Sequence, residues 1–315
     1  MLWSEVRSLA VSLQMWVTNS CGLVCKAPSG AATPREIPAG QLRANRPVGI
    51  RTLVSTLLAL CLVGGTARSQ TPLRASYEVY VAGLNAASVD ASFLIEPDFY
   101  RMELSYKTAG MVGFLMRGST FSVAEGAWQR DHASPRHFRT EGTARGQPRV
   151  TAMDYIGGQP LIRRLVPPNE GERETVPPGL QANSVDPLSA LAELIRTVHR
   201  TGRCEGTARI YDGRRASEIT ARTVGEETVP PSSRSVFAGR ALRCDFVGHM
   251  IAGFNLGEDK KAAAQPFAGS AWLAEVIPGT MKIPTRVQFE TRWFGHATLY
   301  LTASGISPNG RLKSR

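Results

Sequence analysis

Five histidines, five cysteines and one serine in a near-motif are the residues of this 315-residue chain that could do covalent or metal chemistry. A serine hydrolase of the G-x-S-x-G type carries its nucleophile on a tight strand-to-helix turn. Gly305, Ile306, Ser307, Pro308 and Asn309 come nearest, but the last glycine is missing and no helical pattern follows. Zinc needs three or four converging ligands. His132 and His137 stand five apart in a polar stretch, and His199, His249 and His296 are scattered, so all five read as surface or second-layer histidines. No glycine loop suited to cradling phosphate is present. No nucleophile, base and orienting group can be assembled, so the reading is a non-enzyme with no catalytic residue, metal or cofactor.

Tyr211, Asp212, Gly213 and Arg214 make the sharpest short motif. Asp-Gly favours a two-residue hairpin turn, because both central residues then take positive φ at low cost. Set against this structural reading is a functional one, in which Arg214 and Arg215 hold an anionic group. Trp272 is expected either in the sheet core or lining a ligand cavity.

An export signal sits in an unusual place. Arg46 and Arg51 lead into an uncharged stretch from Thr52 to Ala67, sixteen residues long, with Ala67 and Ser69 spaced like an A-x-A cleavage site. A spanning helix needs about 20 apolar residues, so a signal peptide over 46–69, cleaved near Gln70, is expected, with no stable transmembrane span afterwards. Cys61 lies within the apolar run behind Leu60, which suits an apolar filler better than a lipidated cysteine. Residues 1–45 read as a non-native or disordered extension, and residues 70–315 as a single β-rich domain.

Of the five cysteines only Cys204 and Cys244 survive processing. In an oxidising compartment two is the number for one disulfide, the alternative being two separate buried thiols. The processed chain carries 30 basic and 24 acidic residues, and 31 of the 37 basic residues in the whole chain are Arg, which is codon bias rather than a designed anion surface. With no basic cluster interleaved by aromatics, nucleic acid is not an expected partner.

The elements that must position these residues are mostly strands. Tyr77, Val79 and Val81; Val89, Ala91, Phe93 and Ile95; and Tyr100, Met102, Leu104 and Tyr106 alternate with polar residues at the period of two. Phe121 and Val123, then residues 149–155, continue the series. Val287 and Phe289, then Ala297, Leu299 and Leu301, look like a closing hairpin. One helix interrupts them, capped by Ser184 or Asp186, with Leu188, Leu191, Ala192, Ile195 and Val198 on one face. The expected fold is mainly β: a curved antiparallel sheet, half-barrel or barrel, with one helix packed across it. Residues 167–182 and 257–270 read as mobile loops.

Taken in order, Asp186-Pro187-Leu188-Ser189, Cys204, Tyr211-Asp212-Gly213-Arg214-Arg215, Cys244 with Ala252-Gly253-Phe254, and Trp272-Leu273 with Pro284-x-Arg286 resemble an exported bacterial family known as domain of unknown function 3108. The resemblance spans about residues 74–305. It implies an envelope location and a β-rich fold, and it carries over no catalytic residue.

The expectation is therefore a periplasmic, non-enzymatic protein whose concave face holds a lipid or other apolar or amphiphilic envelope molecule. The alternative is a cell-envelope assembly or scaffolding role through contacts with an envelope protein.

Overall fold

The structure, a computed structural model, describes residues 71–115, 117–291 and 295–306. The 1–45 extension, the 46–69 signal, Cys21, Cys25, Cys61 and Ser307 lie outside the described residues.

Among the described residues thirteen antiparallel strands form one sheet. They are β1 (Leu73–Val81), β2 (Leu84–Ile95), β3 (Phe99–Thr108), β4 (Gly118–Gln129), β5 (His132–Ala144), β6 (Gln147–Ile156) and β7 (Gln159–Val166), then β8 (Gly206–Tyr211), β9 (Ala216–Val229), β10 (Gly239–Ala252), β11 (Phe267–Ala274), β12 (Ile283–Thr291) and β13 (Gly295–Ile306). Their order is β7-β6-β5-β4-β3-β2-β1-β13-β12-β11-β10-β9-β8. Two meanders are thus joined where the first strand pairs with the last, Val79 opposite Leu299. The expected closing hairpin β12–β13 does form, but it lies in the middle of the sheet, because β13 also pairs with β1.

Alternation decides which face is inside. Along β1 the buried side chains are Leu73, Ala75, Tyr77, Val79 and Val81, every second residue, and they join one large apolar cluster with Met102, Phe138, Phe246, Leu273 and Leu301. The sheet curls so that its two ends meet: Arg214, in the β8–β9 turn, donates to Val166 O at the end of β7 at 2.8 Å. The main cluster is therefore the inner face.

Helix α3 (Pro187–Thr201) packs across this inner face against β2 to β5 and β8. Asp186 caps it, accepting from the Leu188 and Ser189 N–H groups at 3.0 and 2.9 Å. Pro187 occupies the first turn, Gly202 ends the helix in the left-handed region at φ 68°, and Leu188, Leu191, Ala192, Ile195 and Val198 are buried. Ser184, the other cap candidate, bonds Gln181 O instead.

Among the described residues three short helices accompany it: α1 (Gly110–Leu115), α2 (Pro178–Gln181) and α4 (Lys260–Ala263). The two expected loops are therefore more ordered than their composition suggests. Residues 167–182 hold α2 and a bridge from Arg173 to Asn255, and residues 257–270 hold α4 and the start of β11. No described helix is long and apolar enough to cross a membrane.

Candidate functional site

The motif around Arg214 is a clasp between the two ends of the sheet. The turn centres on Gly213 and Arg214 rather than on Asp212 and Gly213: Asp212 N–H donates to Arg215 O at 3.2 Å, and only Gly213 has positive φ, 87°. The pair is displaced by one residue because the Asp212 carboxylate turns inward and accepts from the Arg214 and Arg215 N–H groups at 2.8 and 2.7 Å. Glycine is required for a second reason, since a methyl group there would lie 2.5 Å from Thr151 Cγ2 on β6.

Arg214 and Arg215, the candidate anion contacts, are 4% and 7% exposed. Arg214 bonds Val166 O, Pro167 O at 3.0 Å and Asn169 Oδ1 at 3.3 Å, while Asn169 donates back to Gly213 O at 3.2 Å. Burial, with Arg149 nearby, brings the Arg214 guanidinium down to about 10. Arg215 forms a buried pair with Asp212, 2.8 Å from Nη2 to Oδ2. Burial alone would raise the Asp212 carboxyl, but Arg215 and the turn N–H groups outweigh it and hold it below the usual carboxylate range. Both arginines thus face the protein, and their terminal nitrogens bond to it.

A second buried polar group lies at the start of α3. Tyr100 donates to Ser189 Oγ at 2.7 Å, and Ser189 donates to Asp186 Oδ2 at 2.5 Å. Asp186 and Ser189 are fully buried, so this serine cannot meet a substrate. Burial raises the Asp186 carboxyl to about 6 against four stabilising hydrogen bonds.

Cys204, just before β8, and Cys244 on β10 form a disulfide with Cα atoms 6.1 Å apart. Among the described residues no three His, Cys, Asp or Glu side chains converge to hold a metal.

Trp272 leads to a site with room for a ligand. It is 8% exposed but belongs to the outer face, in a small cluster with Val229, Ala241 and Ala274. Directly opposite one another on β10, β11, β12 and β13 stand Arg243, Trp272, Arg286 and Tyr300. Within the row Arg243 and Arg286 flank Trp272, their guanidinium carbons 5.5 and 4.9 Å from the indole centroid. Trp272 Nε1 donates to Glu227 Oε2 at 2.8 Å, and Arg243 bonds the other oxygen at 2.9 Å.

The β9–β10 loop covers this row. Val236 N–H and Ser235 Oγ both donate to Leu301 O, at 2.9 and 3.1 Å, and Arg234 lies 4.2 Å over the Tyr80 ring. Beneath it Val229, Pro230, Ser232, Ser235, Arg286 and Tyr300 line a cavity of about 190 Å³. Arg286 Nε is buried there without a hydrogen-bond partner among the described residues. Trp272 backs the cavity through its contact with Arg286 and does not line it. Sequence reasoning did not single out Arg286 and Tyr300 as cavity-lining residues; the alternation of β12 and β13 points both outward, but nothing local tells that the β9–β10 loop closes over them.

Some solved structures are similar to this chain at low identity and low TM-score. A β-barrel-like protein of domain of unknown function DUF1849 from Brucella abortus is 12% identical, covering 76% of this chain and 99% of its own, with a TM-score of 0.46. A candidate exported protein with a YmcC-like fold from Bacteroides fragilis is 11% identical, covering 75% of this chain and 96% of its own, with a TM-score of 0.32. No curated protein matches the chain. The family model for proteins of unknown function, DUF3108, matches residues 76–302, from within β1 to within β13, and the chain belongs to that family.

Proposed function

We propose that the chain is an exported, non-enzymatic binding protein of the bacterial cell envelope, with residues 70–315 as its working domain and an amphiphilic envelope molecule as its ligand. The signal at 46–69 and the Cys204–Cys244 disulfide, which suits an oxidising compartment, support the periplasm as its place.

The observation that carries the binding reading is the outer-face cavity. Arg286 brings a guanidinium to its wall and Tyr300 an aromatic ring. An anionic head group would pair with that guanidinium, with Val229, Pro230 and the Tyr300 ring beside the apolar part. The volume corresponds to roughly six waters, so the cavity takes a head group and leaves a chain outside. The ligand is placed here rather than on the concave face, because the described concave-face side chains pack on one another and on α3.

Native mass spectrometry and lipid extraction of protein purified from the envelope test this. A retained amphiphile is expected, reduced at least tenfold in Arg286→Ala. An empty wild-type protein, or equal retention in the variant, would overturn it. A second reading, assembly through protein contacts, draws on edge strand β7, which exposes Leu161 and Ile162. Crosslinking in cells to a reproducible partner along β7 would favour it.

A further inference from the structure

The β3–β4 connection leaves the sheet as an apolar point. Met111 and Phe114 on α1 are 69% and 83% exposed, and Leu84 at the adjoining start of β2 is 58% exposed. Single exposed apolar residues are ordinary, but three on adjoining segments at one end of a sheet mark a contact surface.

The point is held firmly from below. Ala109 N–H donates to Ala86 O at 2.9 Å, and Gly113 N–H to Ala109 O at 2.8 Å. The Thr108 hydroxyl donates to Gly118 O at 3.2 Å and accepts from Gly118 N–H at 3.0 Å, closing the base of the excursion. Gly110 has φ 55°, and a methyl group there would lie 2.5 Å from Asn85 O. Side chains presented on so fixed a backbone lose little freedom on docking.

Charge identifies the occupant. Exposed Lys107 and Arg117 flank α1, and exposed Arg145, in the β5–β6 turn, is tied to them by its N–H to Arg117 O at 3.1 Å. No Asp or Glu occurs in residues 79–89, 104–124 or 142–149, the segments next to α1, and Glu78 beyond them is taken up by Asn85 and Tyr80. An apolar point ringed by cations matches an apolar layer beneath anionic head groups. A second copy of the chain fits poorly, because self-pairing would bring six cations together.

We propose that this tip docks the protein on an anionic lipid bilayer, with Phe114 and Met111 entering the interface and Lys107, Arg117 and Arg145 meeting the head-group phosphates. Each cation strengthens the attachment by about fivefold at low salt.

The test is co-sedimentation of protein purified from the envelope with phosphatidylethanolamine vesicles containing phosphatidylglycerol, and with neutral phosphatidylcholine vesicles. Binding to the anionic vesicles should weaken as salt is raised. Met111→Ser with Phe114→Ser should lower it at least tenfold at every salt concentration. Arg117→Glu with Arg145→Glu should lower it by a similar factor and flatten the salt dependence. The altered side chains are exposed, so thermal unfolding should be unchanged. Wild-type protein that stays in the supernatant, binds neutral vesicles equally, or binds no better than the Met111/Phe114 variant would overturn the proposal. So would tip-dependent dimers formed without vesicles. Retention of a ligand in the outer-face cavity is read separately and does not bear on this result.

Discussion

Tyr100 on β3 donates its hydroxyl to Ser189 Oγ on α3 at 2.7 Å, and the same serine donates onward to Asp186. The helix is thereby tied to the sheet by a polar chain that ends on a buried carboxyl group. Gly126 on β4 makes room for it, since a methyl group there would lie 2.4 Å from the Tyr100 hydroxyl.

This arrangement sets a pH dependence. The Asp186 value of about 6 lies above the ordinary 3.8, so between these limits the native state holds the extra proton. Its contribution to stability is fully present below the ordinary value and is lost as pH rises through about 6, by on the order of 3 kcal/mol. Asp212 runs the other way: its contribution is present above the ordinary value and is lost as pH falls through its lowered one. Urea unfolding of Asp186→Asn across that window should show a flatter pH profile than wild type.

Arg214→Met should destabilise the fold by about 3 kcal/mol, because it leaves Val166 O and Pro167 O without the Arg214 donor and removes one of the two cations, Arg149 being the other, that lie beside Glu172. Hydrogen exchange should rise first along β7 and β8, the two ends that the side chain joins. An equal rise across the whole sheet would show that the clasp has no local role.

Gly253→Ala should be at least as damaging. Its φ is 80°, and a methyl group there would lie 2.2 Å from Arg214 O and 2.8 Å from Arg215 Cα. The added carbon would push the β8–β9 turn off the sheet, and a loss of about 3 kcal/mol or more in denaturant unfolding is expected.

Reducing the Cys204–Cys244 disulfide, which closes a separation of 40 residues, should cost about 3–4 kcal/mol on the chain-entropy model. Thermal unfolding with and without reductant measures this, and the Cys204→Ser, Cys244→Ser double variant should match the reduced protein.

Trp272→Phe keeps the ring but removes the bond to Glu227, at a cost of about 1–2 kcal/mol. The Trp272 hydrogen bond, with Arg243, also holds the Glu227 carboxyl low, so the variant should raise the Glu227 titration midpoint as followed by NMR.

What could be read along the chain was whatever repeats locally. The period of two in β1 to β3 and in β12 and β13, and the one-sided helix behind Asp186, each follow from neighbours a few residues apart. What could not be read is long-range. The inward turn of Asp212 needs Arg215 and the approach of β6, and the fate of Arg214 depends on carbonyls 47 and 48 residues away. The ligand-sized space near Arg286 exists only because residues 230–235 return over β12 and β13. Gly253 stood out in sequence within Ala252-Gly253-Phe254, yet its reason, a backbone crossing behind the Arg214 turn, belongs to the folded molecule alone.

The pairing of β1 with β13 has a consequence for how the molecule is made. Each meander grows by adding hairpins between strands that are near in sequence, so both halves can zip up quickly. The seam between them joins Val79 to Leu299 and closes the largest loop in the sheet. Until the last strand is available, β1 presents an open row of backbone donors and acceptors, the kind of edge that recruits strands from other molecules. Fresh chains should therefore be most prone to aggregate in the interval before β13 arrives, and a peptide copying residues 295–306 should shorten it.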